Sequence, residues 1–329
     1  MWNKHEPLTA AQALAQGRRC LAKALGGRTA DAAGITAQQS ARGYHGLPEP
    51  DHSPVEPGDP GVDAEVLLRH VLQVDRTRLY RDPDKQISRQ EQEQYQRLLE
   101  RRARGEPVAY LTGFREFMSL EFAVGPEVLI PRPETELLVE TVLNDMRPFT
   151  GQPRIADVGT GSGAIAVSLA YYLPEAKVWA VDISPAALKV AGQNARKHGV
   201  APRLAFLEGD LLSNLPLDLS GELDWVAANL PYIPCGEIPH LQQEVALYEP
   251  RLALDGGPDG LELYRRLIPQ AWKYLKPGGK LIMEMGWDQG QALAGIPADG
   301  DWQAVEIVKD YAGLDRFVIA RKPPQGVTA

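Results

Sequence analysis

The spacing of apolar residues predicts a group of helices in the first third of the chain. In the first of these helices, Leu14, Leu21 and Leu25 fall on one face. Asp63 and Ser88 stand near the starts of the next two and are candidate N-caps. The predicted helices cover residues 8–25, 63–74 and 89–104.

The segment from residue 26 to residue 61 interrupts this pattern. It is rich in Gly, Ala, Gln, Pro and His, and its apolar residues follow neither a helical nor a strand period. Such a composition offers too little apolar surface to offset the entropy of ordering the backbone. We therefore predict a loop or flexible insertion over residues 26–61.

After residue 110 the pattern changes to one typical of strands. Phe117, Leu120, Phe122 and Val124 alternate in part, and Gly125-Pro126 is a turn signal. This combination predicts a β-hairpin that links the helical region to the rest of the chain.

Beyond Pro133, short apolar strands alternate with helical segments. Alternation of this kind is typical of βαβ units, which place helices on both faces of a mostly parallel sheet. The predicted fold class is therefore α/β with a Rossmann-like sheet. The predicted strands cover residues 154–158, 177–181, 203–208, 225–228 and 280–285, and the predicted helices cover residues 134–143, 164–172, 186–198 and 260–275.

These patterns divide the chain into consecutive parts. The prediction is an N-terminal helical domain with the insertion inside it, then the hairpin linker, then the α/β domain and a short tail. Their bounds are 1–110, 111–131, 132–322 and 323–329. We expect the helical domain to recognise a substrate.

Composition narrows the class of protein. The chain has 329 residues, of which 44% are apolar and 24% charged, as in ordinary globular proteins. A net charge of −8 argues against nonspecific nucleic-acid binding, which requires a basic surface. Cys20 and Cys235 are isolated, so neither a zinc site nor a disulfide framework is indicated. The N-terminus lacks the apolar core of a signal peptide, and a cytoplasmic protein is expected, with an Arg-bearing, acid-poor transit peptide as the alternative.

A glycine-rich turn follows the first predicted strand of the α/β domain. The sequence IADVGTGSGAIAVSLA contains Gly159, Thr160, Gly161, Ser162 and Gly163 between that strand and a helix. Glycines allow positive φ and a close approach of the backbone to a ligand, and a helix N-terminus offers unpaired N–H groups. This turn fits a nucleotide-type cofactor, although a tight strand–helix turn without a ligand has the same pattern.

Two acids end the next two predicted strands. Asp182 stands about 20 residues beyond the glycines, where an acid accepts hydrogen bonds from ribose hydroxyls in sites for NAD and for S-adenosylmethionine. Asp210, in LEGD, can accept a hydrogen bond from an adenine amine. Asp182 has an alternative role as a helix N-cap, which Ser184 can also fill.

The stretch AANLPYIP (227–234) begins at the end of the fourth predicted strand and contains Asn229, Leu230, Pro231 and Tyr232. Ligands of open α/β sheets bind at the carboxyl ends of the strands, where Asn229 would stand. An asparagine amide has no acid–base power, but it can orient a planar nitrogen through hydrogen bonds. An Asn-x-Pro-Tyr tetrapeptide is required by enzymes that methylate such a nitrogen and not by NAD dehydrogenases.

These motifs and several longer ones resemble the peptide chain release factor N5-glutamine methyltransferases (the PrmC or HemK family), which are class I S-adenosylmethionine-dependent enzymes. The resemblance covers about residues 62–322. Its further segments are DAEVLL (63–68), RRARGEPVAYLTGFREFMSLEF (101–122), VLIPRPETE (128–136), YEPRLALDGGPDGLELYRRLI (248–268), LKPGG (275–279), EMG (284–286) and KDYAGLDR (309–316).

The resemblance implies methylation of the glutamine side-chain nitrogen in the Gly-Gly-Gln motif of a release factor, with S-adenosylmethionine as cofactor and no metal, membrane or direct nucleic-acid partner. Asn229 would accept one N–H of the amide through its side-chain oxygen, and the carbonyl of Leu230 or Pro231 would accept the other. Tyr232 would stack on the planar amide. The family tetrapeptide is usually Asn-Pro-Pro-Tyr, and Leu230 departs from it.

Four other functions share part of the pattern. A ribosomal-protein glutamine methyltransferase has the same tetrapeptide but usually lacks an intact PRPETE, which is present here at 131–136. A DNA or RNA adenine-N6 methyltransferase could act on a flipped base with the same residues. A protein that binds S-adenosylmethionine without catalysis would explain only Leu230. An NAD dehydrogenase ranks below these, because GTGSG does not have the G-x-G-x-x-G spacing.

Overall fold

A computed structural model of the chain describes residues 8–39, 58–298 and 301–324. The described residues fall into two units, one formed by those up to 112 together with 242–244 and the other by those in 113–241 and from 245 onward. Part of the predicted insertion, residues 40–57, and most of the predicted tail, residues 325–329, lie outside the described residues.

The first unit is helical. Leu14, Leu21 and Leu25 are all buried in its core, as their spacing predicted. Tyr95 is buried with them, and its hydroxyl donates to the carbonyl of Ala64 at 2.9 Å. The helices are α1 (Ala10–Gln39), α2 (Pro60–Leu72), α3 (Arg76–Arg81), α4 (Arg89–Ala103) and α5 (Val108–Thr112).

The helix starts in this unit are fixed by side-chain caps. Ser88 caps α4 and forms a capping box with Glu91, as its position predicted. Asp63 is not the cap of α2. Asp59 fills that role, because Pro60 after it is preorganised for the first helical position, and Asp59 accepts the Gly61 N–H at 2.6 Å. Asp63 lies in the first turn, buried, with a charged hydrogen bond from Arg102 at 2.7 Å.

Helix α1 differs from expectation at its C-terminal end. The apolar pattern predicts a loop from Gly26, whereas the helix continues to Gln39. Alanines and a glutamine pair in this stretch favour helix, and each glycine costs only about 1 kcal/mol relative to alanine in a helix interior. Apolar periodicity is therefore an incomplete guide to where an Ala-rich helix ends.

The second unit begins with the predicted hairpin, formed by β1 (Phe114–Phe117) and β2 (Leu120–Ala123). Its turn lies at residues 118–119, about seven residues before the turn signal at Gly125-Pro126. Phe117 pairs with Leu120, and Met118 and Ser119 between them both have positive φ, 51° and 56°. Two central residues at positive φ define the tight turn whose twist matches the strands.

After the hairpin, strands and helices alternate as the apolar pattern predicted. The strands are β3 (Arg154–Val158), β4 (Lys177–Asp182), β5 (Leu204–Glu208), β6 (Leu223–Ala228), β7 (Leu275–Glu284), β8 (Gln303–Lys309) and β9 (Asp315–Arg321). The helices are α6 (Thr135–Met146), α7 (Ala164–Tyr172), α8 (Pro185–Lys197), α9 (Gln243–Tyr248), α10 (Glu262–Tyr274) and α11 (Gly290–Ala298). The apolar pattern predicted no strand beyond residue 285, so β8 and β9 are additions.

Within the described residues these strands form one seven-stranded sheet in the order β5-β4-β3-β6-β7-β9-β8. The first five are parallel, and β9 and β8 are antiparallel to their neighbours. The order reverses direction between β3 and β6, which lie side by side. This reversal is a topological switch point, where α/β sheets bind ligands outside the carboxyl ends of the strands.

Both faces of the sheet are covered, which agrees with the predicted Rossmann-like class. Along β6, Trp225 and Ala227 belong to the cluster that includes α6 and α7, whereas Val226 and Ala228 belong to the cluster that includes α10. All four are buried. A strand buried on both faces reads as a continuous apolar run, and this is why the parallel strands were visible in the sequence.

Candidate active site

The glycine-rich turn follows β3 at the switch point and leads into α7. Gly161 has φ of 54°, and a side-chain Cβ built there would meet no atom closer than 3.9 Å, so the backbone faces open space. Gly163 has a different role. Its φ is 81°, and a Cβ there would lie 3.0 Å from the Cβ of Ala191 in α8, which packs closely on the turn.

Most N–H groups of the turn are occupied by β4. Those of Gly159 and Thr160 both donate to the carbonyl of Val181, at 2.9 and 3.0 Å. The N–H of Gly161 donates to a carboxylate oxygen of Asp182 at 2.8 Å. The N–H groups of Gly159, Thr160 and Gly161 therefore hold the turn to the end of β4.

Asp182 closes β4 and uses both carboxylate oxygens. One accepts the Gly161 N–H, and the other accepts the Ser184 N–H at 2.9 Å. Ser184 is the N-cap of α8, so Asp182 does not fill that alternative role. Burial raises the pKa of Asp182, and the backbone hydrogen bonds oppose the shift. Each oxygen keeps a lone pair, which leaves two acceptor positions for ligand hydroxyls.

Asp210 follows β5 and forms an ion pair with Arg266 from α10. Both side chains are partly exposed at the wall of one cavity. A ligand amine that approaches Asp210 therefore shares the carboxylate with a guanidinium.

Asn229 stands directly after β6, beside the glycine turn. Its side-chain Nδ2 donates to the hydroxyl of Thr135 at 3.2 Å, and that hydroxyl donates to Glu284 Oε2 at 2.7 Å. Thr135 is the first residue of α6, and Glu284 is the last of β7. Burial raises the pKa of Glu284 to about 7, and the hydrogen bond from Thr135 opposes the shift.

The carbonyl of Leu230 remains available as an acceptor. The hydroxyl of Tyr264 lies 3.2 Å from it, but the same hydroxyl is closer to the carbonyl of Glu284. A phenol has one hydrogen, and the closer acceptor takes it. The Leu230 side chain is buried, and a Cβ built at Gly159 would lie 3.0 Å from its Cδ2. Leu230 therefore packs directly against the glycine turn.

The segment with the sequence PRPETE forms another wall. Pro131, Arg132 and Thr135 line the cavity. Glu249, which is buried, accepts from Arg132 at 2.6 Å and from the Ile130 N–H at 3.2 Å, and these contacts hold the segment in place. Glu134 at the N-cap of α6 makes no side-chain capping bond, so the segment contributes more to the cavity than to the helix start.

The cavity bounded by these elements has a volume of about 330 Å³, at the lower end of the range for small-molecule sites. Tyr232 and Gly163 do not contribute to its wall. Tyr232 is half-buried against the sheet, with its carbonyl accepting from Gln289 Nε2 at 2.9 Å. The predicted site residues that line it are Gly159, Thr160, Gly161, Ser162, Asp182, Asp210, Asn229, Leu230 and Pro231.

Comparison with known proteins identifies the family. A model described as PrmC N-terminal domain matches residues 55–113, and one described as Methyltransferase domain matches residues 151–309. A release factor glutamine methyltransferase of Moorella thermoacetica is 49% identical over 262 residues, which is 79% of this chain and 91% of the relative. One of Nitratidesulfovibrio vulgaris is 44% identical over 265 residues, 80% of this chain and 88% of the relative.

The chain belongs to the release factor glutamine methyltransferase family. The resemblance read from the motifs is thereby confirmed. Among solved structures, the hMettl16 catalytic domain in complex with MAT2A 3'UTR hairpin 6 is similar, with a TM-score of 0.53 and 17% identity over 68% of this chain and 82% of that one. At this identity the likeness concerns the fold alone, and it agrees with the predicted methyltransferase class.

Several polar residues of this family member were not among the predicted site residues. Asp157 is fully buried in β3, where its Oδ2 accepts from the Thr160 hydroxyl at 2.6 Å and from the Ala166 N–H at 3.1 Å. Burial raises its pKa to about 7. Thr135 belongs to PRPETE and Glu284 to EMG, but the contact between them could not be predicted, because no local feature of the sequence indicates it.

Two other kinds of feature are absent from the described residues. No cluster of three or more His, Cys, Asp or Glu side chains suited to a metal ion occurs there. Nor does that part of the chain contain a helix long and apolar enough to cross a membrane.

Proposed function

We propose that this chain transfers a methyl group from S-adenosylmethionine to the glutamine side-chain nitrogen in the Gly-Gly-Gln motif of a peptide chain release factor. The observation that carries the proposal is the position of Asn229. Its amide stands at the switch point beside the glycine turn, with Nδ2 engaged by Thr135 and the oxygen left for a substrate. Relatives at 49% and 44% identity that are named release factor glutamine methyltransferase support it.

The cavity residues fit S-adenosylmethionine, which supplies an electrophilic methyl group on a sulfonium. The open space over Gly161 admits a ligand against the backbone. The remaining lone pairs of Asp182 suit the two ribose hydroxyls, and Asp210 suits the adenine amine. We assign Gly159, Thr160, Gly161, Ser162, Asp182 and Asp210 to this ligand, with Gly163 packing the turn on α8.

The substrate amide nitrogen is a weak nucleophile, because its lone pair is shared with the neighbouring carbonyl. The Asn229 oxygen and the Leu230 carbonyl offer two acceptors for its two N–H groups. Held by both, the nitrogen is fixed in one orientation, and most of the gain comes from this orientation. The acceptor dipoles also favour positive charge as it develops on nitrogen. No side-chain base is required, because the proton can leave after transfer.

Pro231 and Tyr232 follow these two acceptors in the chain and are the remaining proposed substrate-binding residues. Pro231 lines the cavity directly. The half-buried ring of Tyr232 follows it, and we propose that one face of this ring borders the planar amide of a bound glutamine. Replacement by Phe should then preserve most activity and replacement by Ala should not, as measured by methyl transfer.

We also propose that the helical unit recognises the release factor. Its support is the match of residues 55–113 to the PrmC N-terminal domain. A short Gly-Gly-Gln peptide, which offers no surface to that unit, should have a much lower kcat/KM than an intact factor. Equal values would remove the recognition role.

The deciding experiment is transfer of labelled methyl to three acceptors in parallel. These are an intact release factor, the same factor with Gly-Gly-Gln changed to Gly-Gly-Ala, and duplex DNA. We expect label on the intact factor and none on the other two. Label on DNA alone would place the enzyme among adenine methyltransferases. Label that persists on the Gly-Gly-Ala factor would place the modified residue elsewhere.

A further inference from the structure

A chain of three hydrogen-bonded side chains runs from the cavity wall into the interior. Asn229 Nδ2 lies 3.2 Å from Thr135 Oγ1, and Thr135 Oγ1 lies 2.7 Å from Glu284 Oε2. Thr135 is 4% exposed and Glu284 is 1% exposed, so the inner contact is shielded from water. Buried polar groups are nearly always hydrogen-bonded, because an unpaired one is costly.

The protonation state of Glu284 sets the direction of both hydrogen bonds in this series of side chains. An ionised carboxylate only accepts, so the single hydroxyl hydrogen of Thr135 is committed to Glu284. The Thr135 oxygen then has only lone pairs to offer. Its other neighbour must present an N–H, and the Asn229 amide therefore turns its nitrogen toward Thr135. The amide oxygen, on the other side of the planar group, is left for another donor.

We propose that Thr135 and Glu284 are positioning residues that fix the orientation of the Asn229 amide, so that its oxygen and not its nitrogen faces the substrate nitrogen. This inference rests on the proposed function. An amide with nothing to distinguish its two ends can adopt either orientation. In the reversed one, N–H groups of Asn229 would face N–H groups of the substrate, and the nitrogen would not be held.

The protonation state of Glu284 gives this device a pH dependence. The groups around it are Arg132 and Glu134 before α6, Arg316 in β9, Tyr232 after β6 and Tyr264 in α10. The two arginines favour the ionised carboxylate, and Glu134 and burial oppose it. A protonated Glu284 can donate to Thr135, whose hydrogen then turns to the Asn229 oxygen. The whole chain reverses, and the reversed amide cannot accept from the substrate.

The test compares Thr135→Val and Thr135→Ser with Thr141→Val as the matched control. Valine keeps the shape of threonine without the hydroxyl, and serine keeps the hydroxyl. Thr141 lies on the same helix, and its hydroxyl donates to the carbonyl of Leu137 within that helix at 2.7 Å. We expect Thr135→Val to lower kcat about 10- to 100-fold, with little change in KM for the release factor. Thr135→Ser should recover most of the loss, and Thr141→Val should match the wild type.

Glu284→Gln tests whether protonation of Glu284 controls the orientation of the Asn229 amide. Wild-type kcat should fall on the acid side of about pH 7, where Glu284 becomes protonated. In Glu284→Gln that acid limb should be absent, because glutamine has no proton to gain in this range. Wild-type kcat in Thr135→Val, or an unchanged acid limb in Glu284→Gln, would overturn the proposal.

A second readout is independent of turnover. The Asn229 side-chain amide signals can be assigned by NMR through their loss in Asn229→Ala. Their hydrogens should exchange with water faster in Thr135→Val than in the wild type and in Thr141→Val. Equal exchange rates would show that Thr135 does not hold the amide. If the wild type transfers no methyl to the intact factor, the proposed function fails, while the exchange rates still decide the positioning role.

Discussion

The carboxylate of Asp182 at the end of β4 accepts the N–H of Gly161 in the turn after β3, at 2.8 Å. The two residues are 21 positions apart and lie at the edge where neighbouring parallel strands finish. One side chain thus both shapes the glycine turn and faces the cavity that the turn borders. Loss of the carboxylate should therefore weaken ligand binding in two ways, because it removes acceptors from the cavity and loosens the glycine turn.

We therefore expect Asp182→Ala to weaken binding of S-adenosylmethionine by about tenfold or more, which corresponds to about 1.4 kcal/mol. Asp182→Asn should have an intermediate effect, because asparagine keeps one acceptor oxygen in place of two and its Nδ2 can only donate. Isothermal titration calorimetry with the cofactor measures both. Asp218→Ala, which removes an exposed carboxylate away from the cavity, is the control. Unchanged affinity in Asp182→Ala would remove this residue from the cofactor site.

Asn229→Ala should separate binding from turnover. The side chain holds the substrate nitrogen in the proposed mechanism, so its loss should lower kcat by about 100- to 1000-fold. Affinity for S-adenosylmethionine should change little, because the turn and Asp182 remain. Methyl transfer to the release factor and calorimetry with the cofactor provide the two measurements. A variant that still methylates at a near-normal rate would contradict the role given to Asn229.

The parallel strands of the sheet were predictable because strands buried on both faces have continuous apolar runs in the sequence. The predicted bounds of β3 and α7 agree with the structure residue for residue. Each is a short run with few polar residues, and the glycine turn between them fixes where one ends and the other begins. Glycines in turns are among the clearest sequence signals for the boundary between two elements.

Strand β8 was not predictable by the same means. Its residues are exposed or half-buried throughout, because it is the edge strand beyond β9 and one side of it has no partner strand within the described residues. Contacts between distant residues were also hidden. Thr135 and Glu284 are 149 positions apart, and their hydrogen bond depends on where α6 and β7 meet. Local pattern contains no information on such a meeting.

Asp157 should make stability depend on pH in the opposite direction to an ion-paired acid. Burial raises its pKa in the folded protein to about 7, well above the unfolded value of 3.8. Between these values the folded state binds the additional proton, so the free energy of unfolding falls as pH rises. Its charged form is destabilising above about pH 7. Glu284 contributes with the same sign, because its pKa is also raised to about 7.

Asp157→Asn should therefore flatten the decline in unfolding free energy between about pH 5 and about pH 8, without abolishing it. The asparagine oxygen can still accept from the Thr160 hydroxyl and the Ala166 N–H. Urea unfolding at a series of pH values gives the slope, and Asp218→Asn provides an exposed comparison. An Asp157→Asn slope equal to that of the wild type would mean that Asp157 is ionised throughout this range.

Glycine substitution should raise stability in the hairpin turn and lower it at a control position with negative φ. Ser119 is exposed and has φ of 56°, a conformation that costs an L-residue about 1–2 kcal/mol. Ser119→Gly removes this cost, while the greater entropy of glycine in the unfolded chain lowers stability by about 0.4–1 kcal/mol. The unfolding free energy should therefore rise by about 0.8 kcal/mol, the difference between the midpoints of the two ranges. Ser220 is also exposed but has φ of −62°, so Ser220→Gly brings only the entropic loss and should lower stability. Urea unfolding of both variants measures the two shifts, and a loss of stability in Ser119→Gly would show that its backbone conformation carries no strain.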